Sequence, residues 1–159
     1  MNKQALVQKI VTQLVEELER NQIAAQTAHA EATHEQSKAE NKYDTRGLEA
    51  SYLAHGQARQ MVEMKASIEA FENMDLRKFG AGDPISTGAL IALEHDGERT
   101  FYFIGSKAGG MEVRHEEQVV LVITPQSPLG TQLQGKKLGD RLQLSLGGAQ
   151  NQYRVVEVF

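Results

Sequence analysis

The chain contains no cysteine and no tryptophan, and only 6% of its 159 residues are aromatic. Without cysteine there are no disulfides, no thiolate zinc sites and no thiol nucleophile, a composition compatible with a reducing cytoplasm. Proline is nearly missing as well. All three prolines (Pro84, Pro125, Pro128) and twelve of the fourteen glycines lie after residue 79. A break that sharp separates structural units: residues 1–79 read as helix, residues 80–159 as strands and turns.

An excess of positive charge is missing too. The net charge is −4, divided as ten basic against twelve acidic residues before residue 80 and seven against nine after it. Neither half carries the basic field that duplex DNA binding requires, so direct duplex contact is not expected. No apolar stretch approaches the roughly 20 residues of a membrane span, and Glu16, Glu17 and Glu19 interrupt the N-terminal segment where a signal peptide needs its apolar run. The expectation is a cytoplasmic protein with no membrane partner.

Helical periodicity fills the first half. Leu6, Ile10, Leu14 and Leu18, flanked by Val7, Val11 and Val15 and followed by Ala24, Ala25, Ala28 and Ala32, form a stripe about 100° wide over residues 2–34. The pattern resumes from Leu48 through Tyr52, Leu53, Met61, Met64, Ile68, Phe71 and Met74. Arg77-Lys78-Phe79-Gly80-Ala81-Gly82-Asp83-Pro84 then reads as a helix end and domain boundary. Narrow stripes suit a two-stranded antiparallel coiled-coil hairpin over residues 1–79 with a tip near residues 35–46. The alternative is that the two helices fold back on the second half or form a bundle by dimerisation.

In residues 80–159, Ala89–Glu94, Thr100–Ile104, Gln118–Thr124, Arg141–Leu146 and Tyr153–Val158 are expected strands, with hairpin turns at Asp96-Gly97 and Gly147-Gly148. Gly109-Gly110 also reads as a hairpin turn, since no helix or Gly-Lys-Ser/Thr motif follows it to cradle phosphate. Ser127 as N-cap, Pro128 at the first position and Gly135 past the end predict one short helix over Ser127–Gln134. The fold class is therefore α+β. His34-Glu35 opens like a zincin motif, but Lys38 stands where the second histidine would be. The remaining histidines read as surface residues.

Ser127-Pro128-Leu129, Leu133, Gly135-Lys136, Gly139-Asp140, Gly147-Gly148 and the closing run Tyr153 to Val158 follow in an order and spacing that resemble the last 35 residues or so of the bacterial Gre transcript-cleavage factors and their paralogues. In the hairpin, Gln36-Ser37-Lys38-Ala39-Glu40-Asn41-Lys42-Tyr43-Asp44 lies where that family's tip reads Gly-Asp-Leu-x-Glu-Asn-Ala-Glu-Tyr. Glu40 and Asn41 match its Glu-Asn pair, and Ser37 replaces its aspartate.

The resemblance implies an FKBP-like β-rich domain after the hairpin, and binding to RNA polymerase with the tip in the secondary channel. It also implies indirect contact with the nascent RNA 3′ end and no cofactor bound by the chain alone. The chain would then not be an enzyme and would at most stimulate the polymerase's own cleavage of backtracked RNA. In that case Glu40, Asp44 and Asn41 are the working tip residues, and Glu40, Asp44 and Glu35 the groups that share Mg²⁺ with the polymerase. Mg²⁺ needs one or two protein carboxylates beside its waters, so the loss of an aspartate at Ser37 bears directly on cleavage.

Residues 35–46 balance three acidic with three basic side chains. Two roles therefore stand open: a metal-handling tip, or a tip that occupies the channel without cleaving. Ser37, Lys38, Lys42 and Arg46 at the tip, and Ser127, Leu129 and Leu133 in the second half, are the expected partner contacts. A chaperone-like module that holds other proteins is the reading from a different class.

Overall fold

The computed structural model describes residues 1–33, 46–146 and 148–159, with residues 32, 33, 46–54 and 146 described through their backbone alone. Two long helices come first, α1 (Lys3–Thr33) and α2 (Arg46–Glu72). Strands β1 (Leu90–His95), β2 (Glu98–Ile104), β3 (Glu112–His115) and β4 (Gln118–Ile123), the short helix α3 (Pro128–Leu133), and strands β5 (Arg141–Leu146) and β6 (Ala149–Val158) follow. The architecture is α+β, as the periodicity indicates. The chain divides into two compact units, Met1–Ile10 with Ala70–Phe159, and Val11–Glu69.

The first unit is built on a six-stranded sheet in the order β3-β4-β2-β1-β6-β5. All neighbours pair antiparallel except β2 and β4, which run parallel. Leu90, Ile91, Ala92 and Leu93 of β1 have no exposed surface. Successive strand residues face opposite ways, so this run needs an apolar cover on each side of the sheet. On one side Ile91 and Leu93 join Ile104, Ile123, Leu142, Leu144, Tyr153 and Val155, closed over by Phe79, Ile85 and Leu133. On the other side the Phe71 ring lies 6.3 Å from that of Phe103. A Cβ on Gly105 would fall 2.7 Å from the Phe71 ring, so glycine is what lets that ring approach the end of β2. Leu6 and Ile10 of α1 are fully buried in the same unit.

The start of α1 is fastened by polar contacts. Asn2 is its N-cap, with Oδ1 accepting from the Ala5 N–H at 3.1 Å. The Asn2 N–H donates to Glu116 Oε1 at 3.0 Å, and the Met1 ammonium stands 3.9 Å from Glu116 Oε2. Lys9 Nζ donates to the Arg114 carbonyl at 3.1 Å. Lys3 is buried, with Nζ donating to the Arg77 carbonyl and, at 3.0 Å, to the Gly88 carbonyl, 4.8 Å above the Phe79 ring. Burial first, then the Arg77 charge, pushes its ammonium below the ordinary lysine range, with Asp75 partly opposing.

His115, read as a surface residue, is instead buried where β3 turns into β4, and four features of the backbone also differ from the expectations. First, α2 ends at Glu72, so Arg77, Lys78 and Phe79 lie beyond it. Phe79 is drawn into the core, the Arg77 guanidinium stacks 4.1 Å over its ring, and the Arg77 carbonyl is taken by Lys3, none of which a continued helix would permit. Second, β3 was not expected. It is four residues long and joins β4 through Glu116-Glu117, which hold φ of 47° and 65° without a glycine or asparagine to mark the turn.

Third, Gly109-Gly110 is not a hairpin turn: it leads into β3, with the Gly110 N–H bonded to the Val122 carbonyl at 2.8 Å. Fourth, β6 begins at Ala149, four residues before the expected Tyr153. The Asp96-Gly97 turn is present with both residues at positive φ, and Gly147 lies outside the described residues.

The Asn2 N–H first, then the charges of Met1, His115 and Lys9, hold the Glu116 carboxyl below its ordinary value of 4.5, with desolvation opposing. Its folded pKa being depressed, its stabilisation is complete above that pH and is lost as pH falls through the folded value. Glu116→Gln is therefore expected to flatten the acid limb of stability. Urea midpoints measured between about pH 6 and about pH 3 should fall less steeply in the variant than in the wild type. Identical slopes would show that another group titrates.

Candidate functional site

α1 closes at Thr33 and α2 opens at Arg46, so residues 34–45 connect the two long helices. Glu35, Ser37, Lys38, Glu40, Asn41, Lys42 and Asp44 all fall in that connection and lie outside the described residues, as does the Arg46 side chain. Among the described residues no group of three or more His, Asp or Glu side chains could hold a metal ion, and no helix is long and apolar enough to cross a membrane. The 31 residues of α1 extend about 46 Å at roughly 1.5 Å per residue.

Within Val11–Glu69 the helices meet along a seam with few bulky apolar residues. Leu14 and Ala28 are buried on α1. Between them Asn21 is half-buried, its Nδ2 donating to Met64 Sδ of α2 at 3.3 Å. On α2, Gln57 Oε1 is buried without a hydrogen-bond partner among the described residues, while the Ser67 hydroxyl turns back to the Glu63 carbonyl at 2.9 Å. Val15, read as part of the stripe, is exposed, as are Ile23 and Val62. A seam of alanine, asparagine, glutamine and methionine lets two backbones approach, but it buries little apolar area to hold them together.

The expected contacts of the second half are all described. The Ser127 hydroxyl donates to the Thr124 carbonyl at 2.7 Å and accepts from the Gly130 N–H at 3.0 Å, capping α3 as its position before Pro128 predicts. A Cβ on Gly130 would fall 1.9 Å from the Thr124 carbonyl oxygen, so only glycine fits that turn. Leu133 is a fully buried core residue, and Leu129 packs partly buried against the same core. Past α3, the Gly135 N–H donates to the Ile85 carbonyl at 3.0 Å and the Ile85 N–H to the Lys136 carbonyl at 2.7 Å. The Ser-Pro-Leu and Gly-Lys landmarks thus build the turn, which leaves Pro128, Thr131, Gln132 and Gln134 exposed and Lys136 half-exposed.

No family model matches the chain. It is 27% identical over 151 residues to the transcription inhibitor protein Gfh1 of Thermus thermophilus, covering 91% of this chain and 90% of that protein. It is likewise 27% identical over 157 residues to the Gfh1 of Thermus aquaticus, covering 95% and 90%. Among solved structures, the GreA factor homolog 1 (Gfh1) of Thermus thermophilus aligns at 25% identity and a TM-score of 0.40 over 94% of each chain. The elongation factor GreA/GreB of Nitrosomonas europaea aligns at 18% and 0.38, over 62% of this chain and 78% of its own. The sequence relationship to Gfh1 is one of homology, and it spans both helices and the β-rich unit.

Gly56 sits inside α2 with open space around the position a Cβ would take. Gly56→Ala should therefore stabilise the helical unit by about 0.5–1 kcal/mol through the reduced entropy of the unfolded chain. Amide exchange along α2 should slow by a corresponding few-fold, whereas faster exchange would mean that this position needs glycine for a contact of its own.

Proposed function

We propose that this Gre-like chain binds bacterial RNA polymerase in the cytoplasm and presents residues 34–45, the connection between α1 and α2, in the enzyme's secondary channel, where it slows elongation without stimulating transcript cleavage. The observation that carries the reading is homology along nearly the whole chain to Gfh1, a protein named as a transcription inhibitor. The tip chemistry supports the same direction. Ser37 stands where the resembling family has an aspartate, and a hydroxyl cannot replace the carboxylate charge that a hard Mg²⁺ ion requires.

In this reading the polymerase owns the chemistry and the chain has no active site of its own. Magnesium in the polymerase centre would supply Lewis-acid stabilisation of the transferring phosphate. Glu40, Asp44 and Glu35 are the carboxylates available to approach that metal, and Asn41 is the amide that would orient the loop or a water. Ser37, Lys38, Lys42 and Arg46 would meet the channel walls. The nascent RNA 3′ end is reached only through the polymerase.

The test uses purified core polymerase in halted and backtracked elongation complexes. The protein is expected to co-purify with the polymerase and slow nucleotide addition while leaving transcript length unchanged. Magnesium-dependent shortening of the RNA would overturn the non-cleaving part. Absence of binding would overturn the whole reading and leave a module that holds other proteins. Removing both tip carboxylates, Glu40→Ala with Asp44→Ala, should raise the half-inhibitory concentration by roughly tenfold, the scale of losing charged contacts at an interface.

A further inference from the structure

We propose that the open edge of β5 is a docking site for an extended, acidic peptide segment of a partner protein, added to the sheet as a further strand. The inference stands apart from the reading of the hairpin, since it uses only residues of the β-rich unit.

β5 is the outermost strand of the sheet and pairs with β6 alone. Among the described residues no hydrogen bond reaches the outer side of its backbone. The Asp140 carbonyl accepts from the Val155 N–H at 2.8 Å, which fixes the alternation that follows. Leu142 and Leu144 lie at positions whose backbone groups bond inward to β6, so the N–H and C=O groups of Arg141, Gln143 and Ser145 point outward. Edges of this kind take extended peptides through main-chain bonds, and folded proteins usually blunt them with proline, a bulge or a very short strand. β5 has none of these over its six residues; the charged Arg141 at its start and α3 packed beside it leave its outward backbone groups without hydrogen bonds among the described residues. The opposite edge, β3, is four residues long and carries the Lys9 contact on its Arg114 carbonyl.

Charge identifies the occupant. A groove of about 370 Å³ runs beside β5, lined by Gln132, Lys136, Arg141, Leu142, Gln143 and Gln152, and no carboxylate lines it. Arg141 stands directly across from Arg154 in the β5–β6 register, an opposed pair of like charges that costs stability unless each is neutralised. Arg154 is neutralised by Glu94 at 2.9 Å. Arg141 and Lys136 form no ion pair among the described residues; Arg141 also borders a second groove lined by Glu94 and Asp96, while Lys136 faces the carboxylate-free groove alone, and a segment with carboxylates on alternate residues would supply the missing partners.

The probe is an acetylated octapeptide of alternating glutamate and valine, titrated into the isotope-labelled full chain, with an alternating lysine and valine octapeptide as control. Binding of the acidic peptide should shift and protect the amides of Arg141, Gln143 and Ser145. Lys136→Glu with Arg141→Glu, both at exposed or half-exposed positions, should weaken it by roughly tenfold or more without lowering the unfolding midpoint, since the change at 141 removes the like charge facing Arg154. Equal binding of the basic peptide, shifts centred on another element, or no shift up to about 1 mM peptide, where binding is worth only about 4 kcal/mol, would each overturn the proposal.

Discussion

The structure depends on the burial of β1 from both sides. Leu90 to Leu93 present apolar side chains alternately to the two faces of the sheet, and all four are shut off from water. One cover is made from the domain's own loops and α3. On the other face, Phe71 at the end of α2 meets Phe103 and Gly105, and Leu6 and Ile10 near the beginning of α1 are buried in the same unit. The first ten residues and the last turn of α2 therefore belong to the same compact unit as the sheet. Large-to-small changes at such positions typically cost about 2–5 kcal/mol, so the helix roots are part of the sheet's stability.

That constraint explains where the sequence is readable and where it is not. Periodicity locates both helices because each has an apolar stripe of its own, and Ser127-Pro128 locates α3 because capping is a local interaction. The end of α2 is set by tertiary contacts instead. Phe79 is needed in the core and the Arg77 carbonyl is needed by Lys3, so Arg77-Lys78, which resemble a helix end, lie five residues past it. The Glu116-Glu117 turn has no local signal for its left-handed backbone. Its strain is offset by bonds that only the folded chain makes, from Asn2 and Met1 to Glu116.

In the candidate site the same division holds. Glu40, Asn41 and Ser37 are noticeable in the sequence as a motif, and they lie outside the described residues. Ser127 and Leu133 are noticeable for the same reason, yet one caps α3 and the other fills the core. A motif can mark a fold as well as a function, and spacing alone does not separate the two. The polar seam of the hairpin escaped the periodicity because Asn21 and Gln57 interrupt the apolar stripe at positions that only the pairing of α1 with α2 reveals.

The composition of the connection limits how it can work under the proposed reading. Residues 35–46 carry Glu35, Glu40 and Asp44 against Lys38, Lys42 and Arg46, a formal charge of zero. A neutral segment gains little from long-range steering, which at physiological salt fades beyond about 8 Å in any case. The connection therefore cannot draw the chain into a charged channel by itself. Most of the affinity has to come from surfaces elsewhere on the chain, which would raise the local concentration of the tip at its target and leave its carboxylates to add a short-range share. The tip is then free to be selected for what its few carboxylates and amides do at the metal, while the rooted helices and the sheet supply placement.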